Sequence, residues 1–451
     1  MTKSGSFSSG SNASGYDISP RVRALAPRKN TMISVIDIGT SKIACIVAEL
    51  VPAIASDILR GRTHMVRVKG IGHCRSMGVK GGVIIDMEAA EQSIRQAVDA
   101  AERMAKVQIQ SVVVALSGGR IGSQHLSAGM QLGRDPVSYY DKSHILQMAG
   151  MHGLASGRCV MHALPVGYNL DQQIGIPDPT GMVGGKLSVD MHMMSADTAA
   201  IRNMMIAVER CHLEVEAVVA APYAAGLAAL VEDEAEMGSL LIDMGAGTTS
   251  VGLFHGGYLS HVDSFAVGGQ HITLDIARGL STRVNSAERL KTLYGSCIPS
   301  ASDERETIAV SQVDEGDRDM PSHLPKSHLV RIIRPRIEEI LELVRNRLKA
   351  VGVEEDSGRK IILTGGAAQL AGLPELARRV LKGNVRIGRP LGLKGLPEAA
   401  KGPTFAVAGG LLIYPQVAHL EHTDFSQFSA QQATGTSGYF SKIGRWLKDS
   451  F

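Results

Sequence analysis

Two stretches far apart in the chain read alike: Val35-Ile36-Asp37-Ile38-Gly39-Thr40-Ser41-Lys42 and Leu241-Ile242-Asp243-Met244-Gly245-Ala246-Gly247-Thr248-Thr249. Each runs from an apolar strand through an aspartate to a glycine, then to small residues and a second apolar strand. Such a segment suits a β-hairpin that cups a phosphate. Glycine lets backbone N–H groups approach an anion and point at it. Thr40, Thr248 and Thr249 add hydroxyl donors. Asp37 and Asp243 would repel a phosphate, but each can hold a hydrated Mg²⁺ that bridges to one. Lys42 can neutralise phosphate charge. One copy alone reads equally well as an ordinary hairpin turn, where Asp and Gly are common. Two copies on apolar strands argue for a duplicated device.

The rest of the sequence bounds what that device serves. At 451 residues the chain has room for about three domains, or two large ones with insertions. Apolar residues make up 44% and charged residues 20%, which supports a globular core and excludes wholesale disorder. The 47 basic and 44 acidic residues nearly cancel to a net +3, so nothing here points to nucleic acid as a partner. Cys45, Cys74, Cys159, Cys211 and Cys297 are scattered and never form CxxC. A disulfide framework or zinc site is therefore unsupported, and a reducing compartment is expected. The N-terminus lacks a secretory apolar segment. No run of about 18 apolar residues exists, so any membrane contact should be peripheral.

Periodicity divides the chain. Residues 1–30 are Ser/Gly-rich, then basic, and read as a disordered arm. Ile94, Ala97, Val98, Ala101, Met104 and Ala105 share one face of a helix expected over Glu88–Val107. A buried strand is expected at Ser111–Leu116, so residues 84–165 read as a small inserted α+β unit. Residues 300–328 are polar and expected to be exposed. A long helix is expected over Leu329–Val351, with Pro335 kinking it or marking its start. Residues 416–437 are rich in Gln, Ser and Thr and read as a flexible linker.

A third segment, Ile361-Ile362-Leu363-Thr364-Gly365-Gly366 followed by Leu370, ends a strand in GG before a helix. In this order the three segments resemble the two phosphate motifs and the adenosine motif of the actin/hexokinase/DnaK-type ATPase superfamily. Within it the sequence resembles the FtsA family of actin-like bacterial division proteins, from about residue 32 to 415 and again at the extreme C-terminus. The resemblance is carried by IDIGTSKIACIVAEL, VKGGVIIDMEAAEQSIRQAVDAAERMA, VVVALSGGRI, LIDMGAGTTSVGLFHGGYLSHVDSFAVGG, DIARGLSTRVNSAERLK and IILTGGAAQLAGL. It implies an α/β, actin-like two-domain ATPase fold with an inserted small α+β domain of the 1C type. The first domain would comprise 31–83, 166–200 and a closing segment 386–415. The second would span 201–385, with a 2B subdomain at about 245–300.

Residue by residue, the resemblance assigns Asp37, Gly39, Thr40 and Lys42 to the first phosphate loop. It assigns Asp243, Gly245, Gly247, Thr248 and Thr249 to the second. Gly268 and Gly269 match a GG turn near the nucleotide. Glu288 and Lys291, on one helical face by their spacing, match a pair flanking ribose and adenine; a plain surface ion pair is the competing reading. Gly365, Gly366 and Leu370 match the adenosine motif. The implied cofactors are ATP and Mg²⁺, the metal held through water by Asp37 and Asp243. The sequence departs from actins and DnaK-type chaperones in one respect. The stretch Val219-Ala220-Ala221-Pro222-Tyr223 offers no Gln or Glu to orient an attacking water. Phosphoryl transfer depends on such positioning, so tight binding with slow hydrolysis is expected. Asp243 remains the candidate for polarising water through the metal.

The last fourteen residues regain apolar periodicity. Phe440, Ile443 and Leu447 form a stripe that Tyr439 and Trp446 widen, ending at Phe451, while Lys442, Arg445 and Lys448 lie toward the flanks and opposite side. This reads as an amphipathic cationic helix over 438–451 for an anionic membrane surface. A partner-groove helix and a docked core helix are the competing readings. Three cations at about 1 kcal/mol each bind weakly, so stable anchoring would use the avidity of a polymer. The resemblance implies a polymerising adaptor that ties an FtsZ filament to the cytoplasmic face of the inner membrane at the septum and recruits later divisome proteins. A small-molecule kinase or phosphatase of the same superfamily, and a pilus-assembly adaptor of the same fold, are the alternatives.

Overall fold

The apolar runs on either side of Gly39 form β1 (Thr31–Ile38) and β2 (Lys42–Pro52), paired antiparallel from Thr31↔Leu50 to Ile38↔Ile43. The structure is a computed structural model that describes residues 22, 25–53, 59, 62–150, 154–311, 322–354 and 356–422. Most of the N-terminal arm, most of the linker and the whole 438–451 helix lie outside the described residues. β3 (His64–Arg75) extends the meander. α1 (Met87–Ala105) follows, its start fixed by Asp86, whose Oδ1 accepts the Ala89 N–H at 3.1 Å. Its buried stripe of Ala90, Ile94, Ala97, Val98 and Ala101 lies on β3, where Gly70 and Gly72 admit the helix. β4 (Ser111–Leu116) is then parallel to β1.

The chain next leaves this layer. β5 (Gly122–Gln131), α2 (Tyr139–Gly150), β6 (Arg158–Leu170), β7 (Gln173–Ile176) and β8 (Lys186–Asp197) build an antiparallel set of strands in the order β5-β8-β6-β7. α3 (Thr198–Glu209) returns the chain to β9 (Glu214–Ala220), parallel to β4, and α4 (Ala221–Ala229) leads out of the first domain. β10 (Ser239–Met244), β11 (Thr249–His255) and β12 (Tyr258–Phe265) form a second meander. α5 (Gly269–Gly279), α6 (Val284–Tyr294) and α7 (Lys326–Ala350) precede β13 (Lys360–Thr364), α8 (Leu373–Leu381) and β14 (Asn384–Ile387). The two-residue strand Leu393–Lys394 pairs parallel with β3, and α9 (Ala406–Ile413) ends in the first domain.

The duplication seen in sequence is a duplication of topology. The first sheet runs β9-β4-β1-β2-β3 and the second runs β14-β13-β10-β11-β12, each a three-stranded meander extended by two parallel strands. The strands of the insertion continue the second sheet through the pair Asp263↔Gly122, making one sheet of nine strands. The fold is therefore α/β, two like domains with an inserted α+β unit. Between the sheets, α4 and α9 cross so closely that a Cβ on Gly410 would lie 1.6 Å from the Ala224 carbonyl oxygen.

Several expected boundaries change. The insertion follows β4 and ends at Asp197, instead of spanning 84–165. A strand can be set parallel to its predecessor only by a crossover of a dozen or more residues. α1 is that crossover for β4, and α3 is that crossover for β9, so both belong to the first domain. Residues 166–197 accordingly lie in the insertion, and the second domain begins after α4 and not at 201. The stretch expected to be exposed, 300–328, contains the hairpin Thr307–Val310 with Ser322–Pro325, in which Ile308 and Val310 are buried. Pro335 sits inside α7 and does not mark its start. Ordered, buried chain continues past the expected linker boundary. Gln416 Oε1 accepts the N–H groups of Thr63 and His64, and Glu421 pairs with buried His162 at 3.0 Å.

His192, on β8, locks the insertion to the second domain. It is fully buried, its Nδ1 donates to the Leu259 carbonyl at 2.7 Å and its Nε2 faces the Ser123 hydroxyl at 2.7 Å. His125 stacks on it at 5.1 Å. Burial pushes its pKa down to about 3, with neighbouring His125, His261 and His162 acting the same way. Unfolding restores an ordinary imidazole near 6.5. The unfolded chain then binds more protons between these values, so this contribution is complete above pH 6.5 and is lost as pH falls toward 3. Thermal and urea unfolding at pH 4–7 should show stability falling with acidity by up to about 1.4 kcal/mol per pH unit from this group. His192→Asn should flatten that slope by about one proton; an unchanged slope assigns the acid sensitivity elsewhere.

Candidate functional site

The two hairpins close with the same hydrogen bond. Gly39 N–H donates to Lys42 O at 3.0 Å, and Gly245 N–H donates to Thr248 O at 2.9 Å. The turn is tight enough to require glycine: a Cβ on Gly39 would lie 2.8 Å from the Lys42 carbonyl oxygen. The N–H groups of Thr40, Ser41, Ala246 and Gly247 have no partner among the described residues. Hairpin tips with unspent amide donors are a cradle for an anion. The tips also face each other across the two domains, since a Cβ on Gly247 would lie 2.5 Å from Thr40 Oγ1.

Behind the tips stand the two strand-end aspartates and one lysine. Asp243 is buried, and burial together with nearby Asp37 lifts its carboxyl to about 7. Burial also raises Asp37, against the pull of Lys42. Lys42 is lowered to about 8 by burial, opposed by Asp37 and Asp243. Two carboxylates against one ammonium leave the floor of the cleft short of positive charge. That donor set suits a hydrated divalent cation, which prefers carboxylate oxygen and keeps several waters. Lys42 Nζ donates to Thr404 O at 3.1 Å and lies 3.3 Å from the centroid of the Phe405 ring. It retains further donors for an anion.

The other expected residues gather at the second domain's side of the cleft. Gly268 and Gly269 pack on the second hairpin, with Gly269 N–H donating to Gly245 O at 2.9 Å. Lys291 Nζ reaches Glu288 Oε2 at 2.7 Å, Thr273 Oγ1 at 2.8 Å and Gly269 O at 3.1 Å. The pair thus belongs to a cluster that also holds the Gly269 turn. Gly365 takes φ +86°, and a Cβ there would lie 2.5 Å from Asp243 Oδ1. Gly366 opens a short helical turn that Leu370 closes, and Leu370 packs at Gly295 behind Lys291. Thr248 stays beside its hairpin. Thr249 does not: its hydroxyl donates to Val267 O at 2.8 Å and it is fully buried, so it is a brace and not an anion donor. Thr273, Thr404 and Phe405 were missed because no glycine motif marks them. No group of three or more His, Cys, Asp or Glu that could hold a metal ion directly is found among the described residues.

Comparison with known proteins fits this geometry. Residues 240–410 match the family "Cell division protein FtsA", and residues 118–195 match "SHS2 domain inserted in FTSA". The second match agrees with the insertion limits seen in the fold. The chain is 50% identical to cell division protein FtsA of Rhizobium meliloti (strain 1021) over 432 residues, covering 96% of this chain and 98% of that protein. It is 32% identical to the Escherichia coli (strain K12) protein of the same name, covering 92% and 97%. Among solved structures, a chain of the PilM-PilN type IV pilus biogenesis complex aligns with a TM-score of 0.59 at 18% identity, covering 85% of this chain and 98% of that one. At that identity it speaks for the fold alone.

Proposed function

The chain belongs to the FtsA family of cell division proteins, and from that premise we propose that it is an ATP-switched membrane adaptor. Mg-ATP sits between the two hairpins, and the bound state favours self-association into polymers. The 438–451 helix holds those polymers on the anionic cytoplasmic face of the inner membrane at the septum. The 2B region, within about 245–300, ties FtsZ filaments to them, and later divisome proteins join. The observation that carries the nucleotide part is the facing pair of glycine hairpins with unspent amide donors.

The metal, held through water by Asp37 and Asp243, would shield phosphate charge in the cleft. Thr40, the hairpin amides and Lys42 would orient the phosphates. Lys291, Glu288 and the Gly365–Gly366 turn would line the nucleoside side. The entry into α4, Ala220-Ala221-Pro222-Tyr223, offers no Gln or Glu to orient a water. Hydrolysis is therefore slow at most, and occupancy itself is the switch. The helix of no described segment is long and apolar enough to cross a membrane. That is compatible with attachment by an amphipathic tail.

Co-sedimentation with anionic vesicles and FtsZ tests the adaptor. The full chain should carry FtsZ into the vesicle pellet in Mg-ATP and much less without it. Deleting Tyr439–Phe451, or Trp446→Glu, should abolish vesicle pelleting while leaving ATP binding intact. A large aromatic ring at a water–lipid boundary is the contact being removed. Unchanged pelleting would overturn the anchor.

A further inference from the structure

Between β3 and α1 the chain makes a small hairpin, Val79–Lys80 paired with Val83–Ile84, whose turn is Gly81-Gly82. Both glycines take positive φ, +56° and +72°, as a two-residue hairpin turn demands. The tip of this turn touches three separate parts of the molecule. Gly82 N–H donates to Thr40 Oγ1 at 3.1 Å, on the first phosphate hairpin. The Gly81 nitrogen lies 3.0 Å from where a Cβ on Gly247 would stand, on the second hairpin. A Cβ on Gly118 would lie 2.5 Å from Gly81 O and 2.6 Å from the Gly82 carbonyl carbon. Gly118 is the second residue after β4 on the path into the inserted domain, where Asp197 N–H donates back to Gly119 O at 2.9 Å.

The base of the hairpin is fixed at both ends. Ser76 N–H donates to Ser41 O at 3.0 Å, and the N–H groups of Ile85 and Asp86 donate to Gly78 O. Asp86 then caps α1. A displacement of the tip therefore has few ways to dissipate, and it is passed to Gly118 through backbone contact.

We propose that the Gly81–Gly82 turn is the positioning element that carries nucleotide occupancy from the phosphate hairpins to the inserted domain. The inference rests on the nucleotide reading of the cleft and adds a route to it. Thr40 Oγ accepts from Gly82 and keeps its own proton for a phosphate oxygen. A phosphate that takes that proton strengthens the Thr40–Gly82 bond and draws the turn toward the first hairpin. Gly118 then follows, and the root of the inserted domain tightens.

Hydrogen–deuterium exchange of the full chain tests this, diluted to where sedimentation velocity shows monomer, with and without a non-hydrolysable Mg-ATP analogue. In the wild type the analogue should slow exchange at both phosphate hairpins, and at residues 118–124 and 195–198 by about threefold or more. Gly118 takes no positive φ, but a Cβ there would press on the Gly81 and Gly82 main chain at 2.5–2.7 Å, so Gly118→Ala wedges the turn away from the root of the inserted domain. It should keep analogue affinity and hairpin protection while losing the response at 118–124 and 195–198. If that variant fails to fold, Gly81→Ala, whose Cβ would meet only Ala266 at 3.5 Å but which strains the turn at φ +56°, should lose the same response. A root response that survives in a folded variant overturns the route. So does a wild type whose hairpins are protected while the root is not. Wild-type hairpins left unprotected by the analogue would overturn the nucleotide reading itself.

Discussion

Asp243→Ala should weaken Mg-ATP binding by about 100-fold or more while leaving the protein folded. Asp243 sits at the end of β10, buried, beside Asp37. In the free protein its carboxyl is unfavourable: burial and Asp37 lift it to about 7. Removing it relieves repulsion, so the unfolding temperature should hold or rise. With Mg-ATP the balance reverses, because the cation needs carboxylate charge to be held through water. Loss of a residue that orients a metal's ligands typically costs 10–100-fold in metal affinity, and here half of the paired carboxylate set is lost. A titration with a fluorescent ATP analogue, with and without Mg²⁺, separates the effects. Wild-type affinity in a folded Asp243→Ala protein would remove Asp243 from the site.

Gly410→Ala should destabilise the native fold severely. α9 is buried along its whole length, and it crosses α4 where a Cβ would overlap the Ala224 carbonyl at 1.6 Å. Backbone cannot rotate away as a side chain can. The helices must separate, and the contact that joins the two domains is lost with them. Overpacking usually costs about 1–3 kcal/mol and occasionally more. A clash with main chain belongs at the upper end, about 4 kcal/mol, against a total stability of about 5–15 kcal/mol. Soluble yield and unfolding temperature read this directly. A variant that melts within a few degrees of wild type would mean the helices cross less tightly than described.

The sequence made the repeated hairpins legible because their chemistry is local. Asp, Gly and Thr at fixed spacing state a turn and its donors within a few residues. What it hid is set by distance in space. Nothing near Thr40 announces that Gly247 faces it, or that Gly82 donates to it. The insertion was misplaced for a related reason. α1 and β4 read as a small α+β unit, and only their pairing with β1 shows them to be a crossover inside the first domain. Gln416 and Glu421 look like linker residues by composition, yet Gln416 Oε1 accepts from Thr63 and His64, and the Glu421 carboxylate pairs with His162. Thr249 looked like a phosphate donor by position, but strand pairing turns it inward to Val267.

The central claim is that both hairpins hold one nucleotide between them. Calorimetric titration of the full-length chain with Mg-ATP, beside Gly247→Val, tests it most directly. The added side chain would start 2.5 Å from Thr40 Oγ1 and force the hairpins apart. Saturable binding at one site per chain is expected in the wild type, and its loss in a variant that remains folded by circular dichroism. No binding by the folded wild type, or equal binding by Gly247→Val, would contradict it.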